Sequence, residues 1–100
     1  MGFLDPYIDQ IKKICLREGV RSLFAFGSVM RDDFKPESDI DLLVDIDEQD
    51  PVFYAEKYFY LKFELEKILR RQIDLLELKA LHNPYLKQQI DKTKVLIYGR

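Results

Sequence analysis

A glycine-serine pair followed by two closely spaced aspartates constrains this chain more than any other feature. Gly27-Ser28 and Asp39-Ile40-Asp41 are separated by ten residues. Glycine lets a backbone approach a phosphate closely, serine adds a hydroxyl, and the amides of a following helical turn would point at the anion. The pattern therefore predicts a phosphate-binding turn near a pair of carboxylates, which indicates nucleotide chemistry.

The segment 39–46 alternates polar and apolar residues and then becomes apolar, which is typical of a β-strand. Asp39 and Asp41 then share one face, because successive side chains of a strand point to opposite faces. Residues two apart lie about 6.6 Å from each other along the strand. Carboxylates this close repel each other, and a divalent cation relieves the repulsion. Mg²⁺ suits such a site because it binds one or two carboxylates, keeps waters and completes its shell with substrate phosphates. The competing interpretation, the polar face of an edge strand after a plain turn, leaves two carboxylates that are costly without partners.

The order of helices and strands predicts an α/β fold with a mixed sheet. The chain has 100 residues and is 47% hydrophobic, which is enough for one core, so we expect a single domain over residues 1–100. Predicted helices run from Asp5-Pro6 to Gly19, over 51–70 and from Asn83-Pro84 to 91, and predicted strands cover 20–26, 39–46, 73–78 and 95–98.

Composition narrows the function further. The net charge of −2 argues against wide nucleic-acid contact, because such binding relies on many phosphate contacts from Lys and Arg. The lone Cys15 precludes an internal disulfide and is interpreted as core packing. A single histidine, His82, precludes a Ser-His-Asp arrangement or a His-rich metal site. No segment is typical of a membrane span or a secretory leader, so we expect a cytoplasmic protein with no membrane contact.

At these residues the chain resembles the minimal nucleotidyltransferases of the DNA polymerase β superfamily, whose signature is Gly-Ser, ten residues, then Asp-x-Asp. The match is complete at Gly27, Ser28, Asp39 and Asp41. Arg31 and the segments 36–38, 83–86 and 95–99 also look like that family. The resemblance implies a polymerase-β-like nucleotidyltransferase fold, a small mixed β-sheet flanked by helices.

Arg31 and Asp32 bear on phosphate binding in opposite ways. A guanidinium matches phosphate geometry, so Arg31 is a candidate for bracing the triphosphate, with a salt bridge to Asp32 or Asp33 as the alternative. Family members often carry glycine at the position of Asp32. A carboxylate there would weaken phosphate binding nearby.

The resemblance also implies a third carboxylate on a later strand. Asp74, at the start of the apolar run 73–78, is the preferred candidate. It would complete the metal-binding set with Asp39 and Asp41 and accept the proton of an attacking hydroxyl. Glu77 is the rival, but it lies further along the strand and on the opposite face.

The implied reaction is transfer of AMP from ATP, with Mg²⁺, as two ions, held by these acids and pyrophosphate leaving. Stand-alone proteins of this type resemble the antitoxins of toxin-antitoxin pairs whose partner is a helical HEPN-domain toxin with ribonuclease activity. For those relatives the family implies AMP transfer onto a tyrosine of the toxin. The alternatives are an antitoxin that neutralises its toxin by binding alone, and transfer to a small molecule such as an aminoglycoside, which usually requires an added helical domain.

The predicted helix 51–70 has two dissimilar faces. One is an apolar stripe suited to covering the sheet, formed by Tyr54, Tyr58, Leu61, Leu65, Ile68 and Leu69. Phe59 and Phe63 point nearly the opposite way, among charged side chains. They predict an exposed patch that binds a partner protein, and the alternative is burial beneath Leu81, Tyr85 and Leu86.

Overall fold

The computed structural model describes residues 2–27 and 39–99, and its elements follow the predicted α/β order. Short 3-10 helices cover Gly2–Tyr7 and Leu78–Ala80. The longer elements, in chain order, are α1 (Ile8–Arg17), β1 (Val20–Phe26), β2 (Ile40–Ile46), α2 (Pro51–Leu69), β3 (Ile73–Glu77), α3 (Pro84–Thr93) and β4 (Val95–Gly99).

The described strands form a mixed four-stranded sheet in the order β3-β2-β1-β4, so the predicted fold class is confirmed. β1 is antiparallel to both β2 and β4, whereas β2 and β3 are parallel and are connected through α2. Because of these directions, the end of β1 and the starts of β2 and β3 lie at the same end of the sheet. The predicted site residues Gly27, Asp41 and Asp74 all lie at this end.

Side-chain alternation along β2 assigns its two faces. Ile40, Leu42 and Val44 are fully buried in the main core, while Asp41 and Asp45 are only partly buried on the other face. α1 and α2 cover the core face, since their apolar stripes belong to the same buried cluster. The residues predicted for the α2 stripe are buried or pack against that cluster, namely Tyr54, Tyr58, Leu61, Leu65, Ile68 and Leu69.

Cys15 lies in this core, as predicted. Its side chain is fully buried, and burial raises the pKa of the thiol to about 12. The thiol is therefore protonated at neutral pH and behaves as a small apolar group.

Helix boundaries differ from the prediction at two places. The first helix begins as a 3-10 segment that contains Pro6, and α-helical geometry starts only at Ile8. The fixed φ of proline is compatible with such a tight first turn. α3 is capped by Asn83, whose side-chain oxygen accepts from the Tyr85 and Leu86 amides at 2.9 and 3.2 Å, and it runs to Thr93 rather than 91.

None of the helices in residues 2–27 and 39–99 is both long and apolar enough to cross a membrane.

Candidate functional site

Gly27 closes β1 with a backbone conformation and a neighbour that both require glycine. Its φ is +74°, in the left-handed region that L side chains rarely adopt. A Cβ at this position would collide with Oδ2 of Asp41 and would lie 3.3 Å from the Asp41 Cγ. The predicted phosphate-binding glycine is therefore placed directly against a predicted metal-binding carboxylate.

Asp41 and Asp74 occupy the same register position on the parallel strands β2 and β3. Neighbouring strands lie about 4.8 Å apart, and side chains at matched positions of a parallel pair point to the same face. Asp41 is partly buried and Asp74 is exposed. Glu77, the rival third acid, lies on the opposite face of β3 beside Tyr54, whose pKa is raised by burial and then by this carboxylate.

Asp39 lies one residue before β2 and is exposed. Strand alternation puts it on the same side as Asp41. The residue between them, Ile40, donates its N–H to the carbonyl of Gln72 at 3.1 Å, which ties the start of β2 to the approach of β3. The backbone thus places Asp39, Asp41 and Asp74 at the same end of the sheet.

Across residues 2–27 and 39–99, no group of three or more His, Cys, Asp or Glu side chains is arranged to hold a metal ion. The donors nevertheless fit Mg²⁺, which needs only one or two carboxylates and takes its other ligands from waters and phosphates. Asp41 and Asp74 supply hard oxygens at matched positions, and the absence of a side chain at Gly27 leaves the space that the Asp41 carboxylate occupies.

Several predicted features lie outside the described residues. They are the phosphate-binding candidates Ser28 and Arg31, the neighbouring Asp32, and the segment 36–38 that resembles the family.

The other end of β2 has a different chemistry. Arg21 contacts Asp45 at 3.1 Å and Asp47 at 2.8 Å, so one guanidinium neutralises two carboxylates. The hydrogen bond that Arg21 donates to Asp45, followed by the charges of both acids, raises the pKa of Arg21. This cluster is a surface ion-pair network at the opposite end of β2 from Asp41.

Two side chains of α2 hold the backbone of β3 next to Asp74. Oε2 of Glu66 accepts from the Ile73 N–H at 3.1 Å, and the Tyr58 hydroxyl donates to the Leu75 carbonyl at 2.6 Å. Burial, and then the carboxylates of Glu77 and Asp74, raise the pKa of Tyr58, so its hydroxyl stays protonated and can donate. Tyr58 thus has a role beyond the core stripe to which the helix pattern assigns it. The available signal was the hydroxyl itself, since a tyrosine in a buried stripe usually finds a hydrogen-bond partner.

Phe59 and Phe63 are exposed at 55% and 67%, as the helix pattern predicted. Tyr85 and Leu86 are themselves exposed and do not bury the two rings, so the alternative of burial beneath the C-terminal segment is wrong. The exposed face of α2 also carries Val52, Phe53 and Tyr60. Next to Phe59, a cleft of about 260 Å³ is lined by Tyr54, Ala55, Tyr58, Phe59 and Glu77.

Comparison with known proteins agrees with this geometry. The family model described as polymerase beta, nucleotidyltransferase matches residues 9–100. A candidate protein adenylyltransferase of Methanocaldococcus jannaschii is 40% identical over 78 residues, which are 78% of this chain and 77% of that protein.

Solved structures with the same fold include a candidate minimal nucleotidyltransferase, with a TM-score of 0.76 at 28% identity and 95% coverage of both chains. A chain from the complex of tri-AMPylated Shewanella oneidensis HEPN toxin with MNT antitoxin has a TM-score of 0.65 at 21% identity, covering 96% of this chain and 72% of that one.

Proposed function

Because this chain belongs to the polymerase β nucleotidyltransferase family, we propose that it transfers AMP from ATP to a tyrosine hydroxyl of a HEPN-family toxin and thereby acts as its antitoxin. The observation that carries the proposal is that Gly27 adjoins Asp41, and Asp41 is in register with Asp74, at one end of the sheet. A relative assigned to protein adenylyl transfer and a complex of the same fold with an AMPylated HEPN toxin support the choice of acceptor.

The side chains have separate tasks in this reaction. Gly27 and Ser28 hold the outer phosphates, while Arg31 braces the triphosphate. Asp39, Asp41 and Asp74 would hold Mg²⁺, as two ions, which would supply positive charge to the attacking and leaving oxygens.

Bond changes occur at the α-phosphorus. The tyrosine oxygen forms a bond to it, and the bond from it to the oxygen bridging to the β-phosphate breaks. Pyrophosphate leaves with that bridging oxygen. Asp74, the most exposed of the paired acids on β2 and β3, accepts the hydroxyl proton.

The exposed face of α2 is the proposed docking surface for the toxin. Phe59 and Phe63 lie one turn apart and present apolar rings to solvent. The cleft beside Phe59 can receive a side chain of the partner, and aromatic anchors in such clefts dominate the energetics of many interfaces.

The reaction can be tested with two labelled forms of ATP. The chain is incubated with Mg²⁺, ATP and a HEPN-domain protein from the same organism, with the radioactive phosphorus at either the α or the γ position. We expect label on the HEPN protein from α-labelled ATP only, because the γ-phosphate leaves in pyrophosphate. Label from γ-labelled ATP would show phosphoryl transfer and contradict the proposal.

Other outcomes separate the alternatives. Intact complex formation without label would favour an antitoxin that acts by binding alone. Label on an aminoglycoside, and not on the protein, would favour small-molecule transfer. Peptide mass spectrometry of the labelled toxin should locate AMP on a tyrosine, and a modified serine or threonine would refute that part of the proposal.

The proposed docking surface is tested by introducing negative charge into it. Phe59→Glu combined with Phe63→Glu should weaken association with the HEPN protein in isothermal titration calorimetry, because two carboxylates replace apolar contacts. Tyr85→Glu, which alters an equally exposed aromatic residue on α3, is the matched control. The melting temperature should be unchanged, and a large drop would show that the two rings belong to the core.

A further inference from the structure

β3 lies at the edge of the sheet formed by the described residues, so half of its backbone groups face away from β2. Two of these outward groups bind side chains of α2. The Ile73 N–H donates to Glu66 at 3.1 Å, and the Leu75 carbonyl accepts from Tyr58 at 2.6 Å. The helix therefore substitutes for a neighbouring strand on both sides of Asp74.

The peptide group between Gln72 and Ile73 is held from two directions. Its carbonyl accepts from the Ile40 N–H at 3.1 Å, and its N–H donates to Glu66. Ile40 lies between Asp39 and Asp41 in the sequence. A single peptide group thus connects the acids at the start of β2 to the segment that leads into Asp74.

We propose that Glu66 and Tyr58 are positioning residues that set the distance of Asp74 from Asp39 and Asp41. The inference rests on the proposed metal-binding role of Asp74. Glu66 and Tyr58 act through the backbone of β3, since their side chains hydrogen-bond to the residues before and after Asp74. A carboxylate on an edge strand requires such support, because misplacement of a site residue by about 1 Å can reduce a rate 10²-fold.

Mn²⁺ binding and amide hydrogen exchange test this without ATP or a partner protein. Glu66→Ala removes the acceptor, so the Ile73 N–H should exchange faster, and Mn²⁺ affinity measured by electron paramagnetic resonance should fall about 10-fold, as for other outer-shell partners of metal ligands. Tyr58→Phe removes only a hydroxyl and should weaken Mn²⁺ binding to a smaller extent.

Two matched variants define the cause. Glu66→Gln keeps an oxygen acceptor at the same place, so it should retain both the protection of Ile73 and the affinity for Mn²⁺. Glu56→Ala removes an exposed carboxylate from the same helix and should leave both measurements unchanged. If Glu66→Gln binds Mn²⁺ as weakly as Glu66→Ala, charge and not the hydrogen bond is responsible, and the inference is wrong.

Combination with Asp74→Asn sharpens the test. If Glu66 acts through Asp74, Glu66→Ala should cost no further Mn²⁺ affinity once Asp74 is replaced. Additive losses would overturn the inference, as would normal Mn²⁺ affinity in Glu66→Ala despite faster exchange at Ile73. Should Glu66→Ala not fold, the same comparison with Tyr58→Phe decides the question.

The results also separate this inference from the proposed function. Absence of AMP transfer by a chain that binds Mn²⁺ with the expected Glu66 dependence would refute the proposed function alone. A wild-type chain that binds no Mn²⁺ would refute the metal site and this inference together.

Discussion

The two ends of β2 place different neighbours beside an acidic side chain. At its carboxyl end, Arg21 contacts both Asp45 and Asp47. At its amino end, Asp41 is in register with another acid, Asp74, and its carboxylate packs against Gly27. Asp41 and Asp45 occupy the same face of one strand, so the difference comes from their neighbours. Acids that the fold brings beside other acids mark functional sites more often than acids that an arginine neutralises.

The strongest test makes the same substitution, aspartate to asparagine, at the two ends of β2. Asp41→Asn should reduce AMP transfer by about three orders of magnitude or more, because a charged group that stabilises the transition state is lost. Asp45→Asn should leave the transfer rate within about twofold, since its partner is a surface arginine. Initial rates with α-labelled ATP measure both.

Folding provides the control for this pair. Asp41→Asn should melt at the same temperature as the wild type or higher, because it relieves repulsion between carboxylates in the metal-free protein. The same holds for Asp39→Asn, which should also abolish transfer. Unfolding of either variant would assign these acids a structural role.

The next largest effect is expected at Gly27. In Gly27→Ala the new methyl group would collide with the Asp41 carboxylate, and the resulting displacement should lower the transfer rate about 10²-fold. The positive φ adds roughly 1 kcal/mol of instability.

Gly2 is the matched control, because its φ is +52° and a Cβ there meets nothing within 4 Å. Gly2→Ala therefore tests backbone strain without a collision. Transfer rates and chemical denaturation of both variants separate the two effects. A normal rate in Gly27→Ala would remove Gly27 from the site.

A smaller effect concerns the turn through which the chain reaches Asp74. Arg70 ends α2 with φ +55°, in the left-handed region where glycine is favoured. Arg70→Gly should raise the free energy of unfolding by about 0.5–1 kcal/mol, measured by urea denaturation. Transfer should be unaffected, and a lower rate would show that this turn influences the amino end of β2.

The smallest effect is expected from removing the arginine that contacts the acids at the carboxyl end of β2. Arg21→Ala should lower the melting temperature slightly at low salt, and the difference from the wild type should vanish as salt screens the exposed ion pairs. A loss that persists at high salt would show that the Arg21 cluster contributes more than surface electrostatics.

The sequence alone predicted the elements whose signals are local. Alternation along β2 predicted its two faces, and the pattern of Gly27-Ser28 and Asp39-x-Asp41 predicted that the glycine and the acids lie close together, as Gly27 and Asp41 do. Asn83 was correctly predicted to cap α3, because Asn followed by Pro is a local signal.

Tertiary features were not predictable in the same way. The register that pairs Asp41 with Asp74 depends on how α2 returns the chain, which no local pattern encodes. The contacts of Glu66 and Tyr58 with β3 depend on the same geometry. The roles of all the predicted site residues, and the single domain over residues 1–100, stay predictions.

The proposed docking surface and the proposed positioning residues lie on the same helix, α2. Adjacent residues, Tyr58 and Phe59, point respectively to the β3 backbone and to solvent. A library that randomises the outer rings in order to recruit a new target therefore has to keep residues 58 and 66 fixed. If both proposals hold, a foreign helix grafted in place of α2 would change the partner protein and reduce AMP transfer in one step.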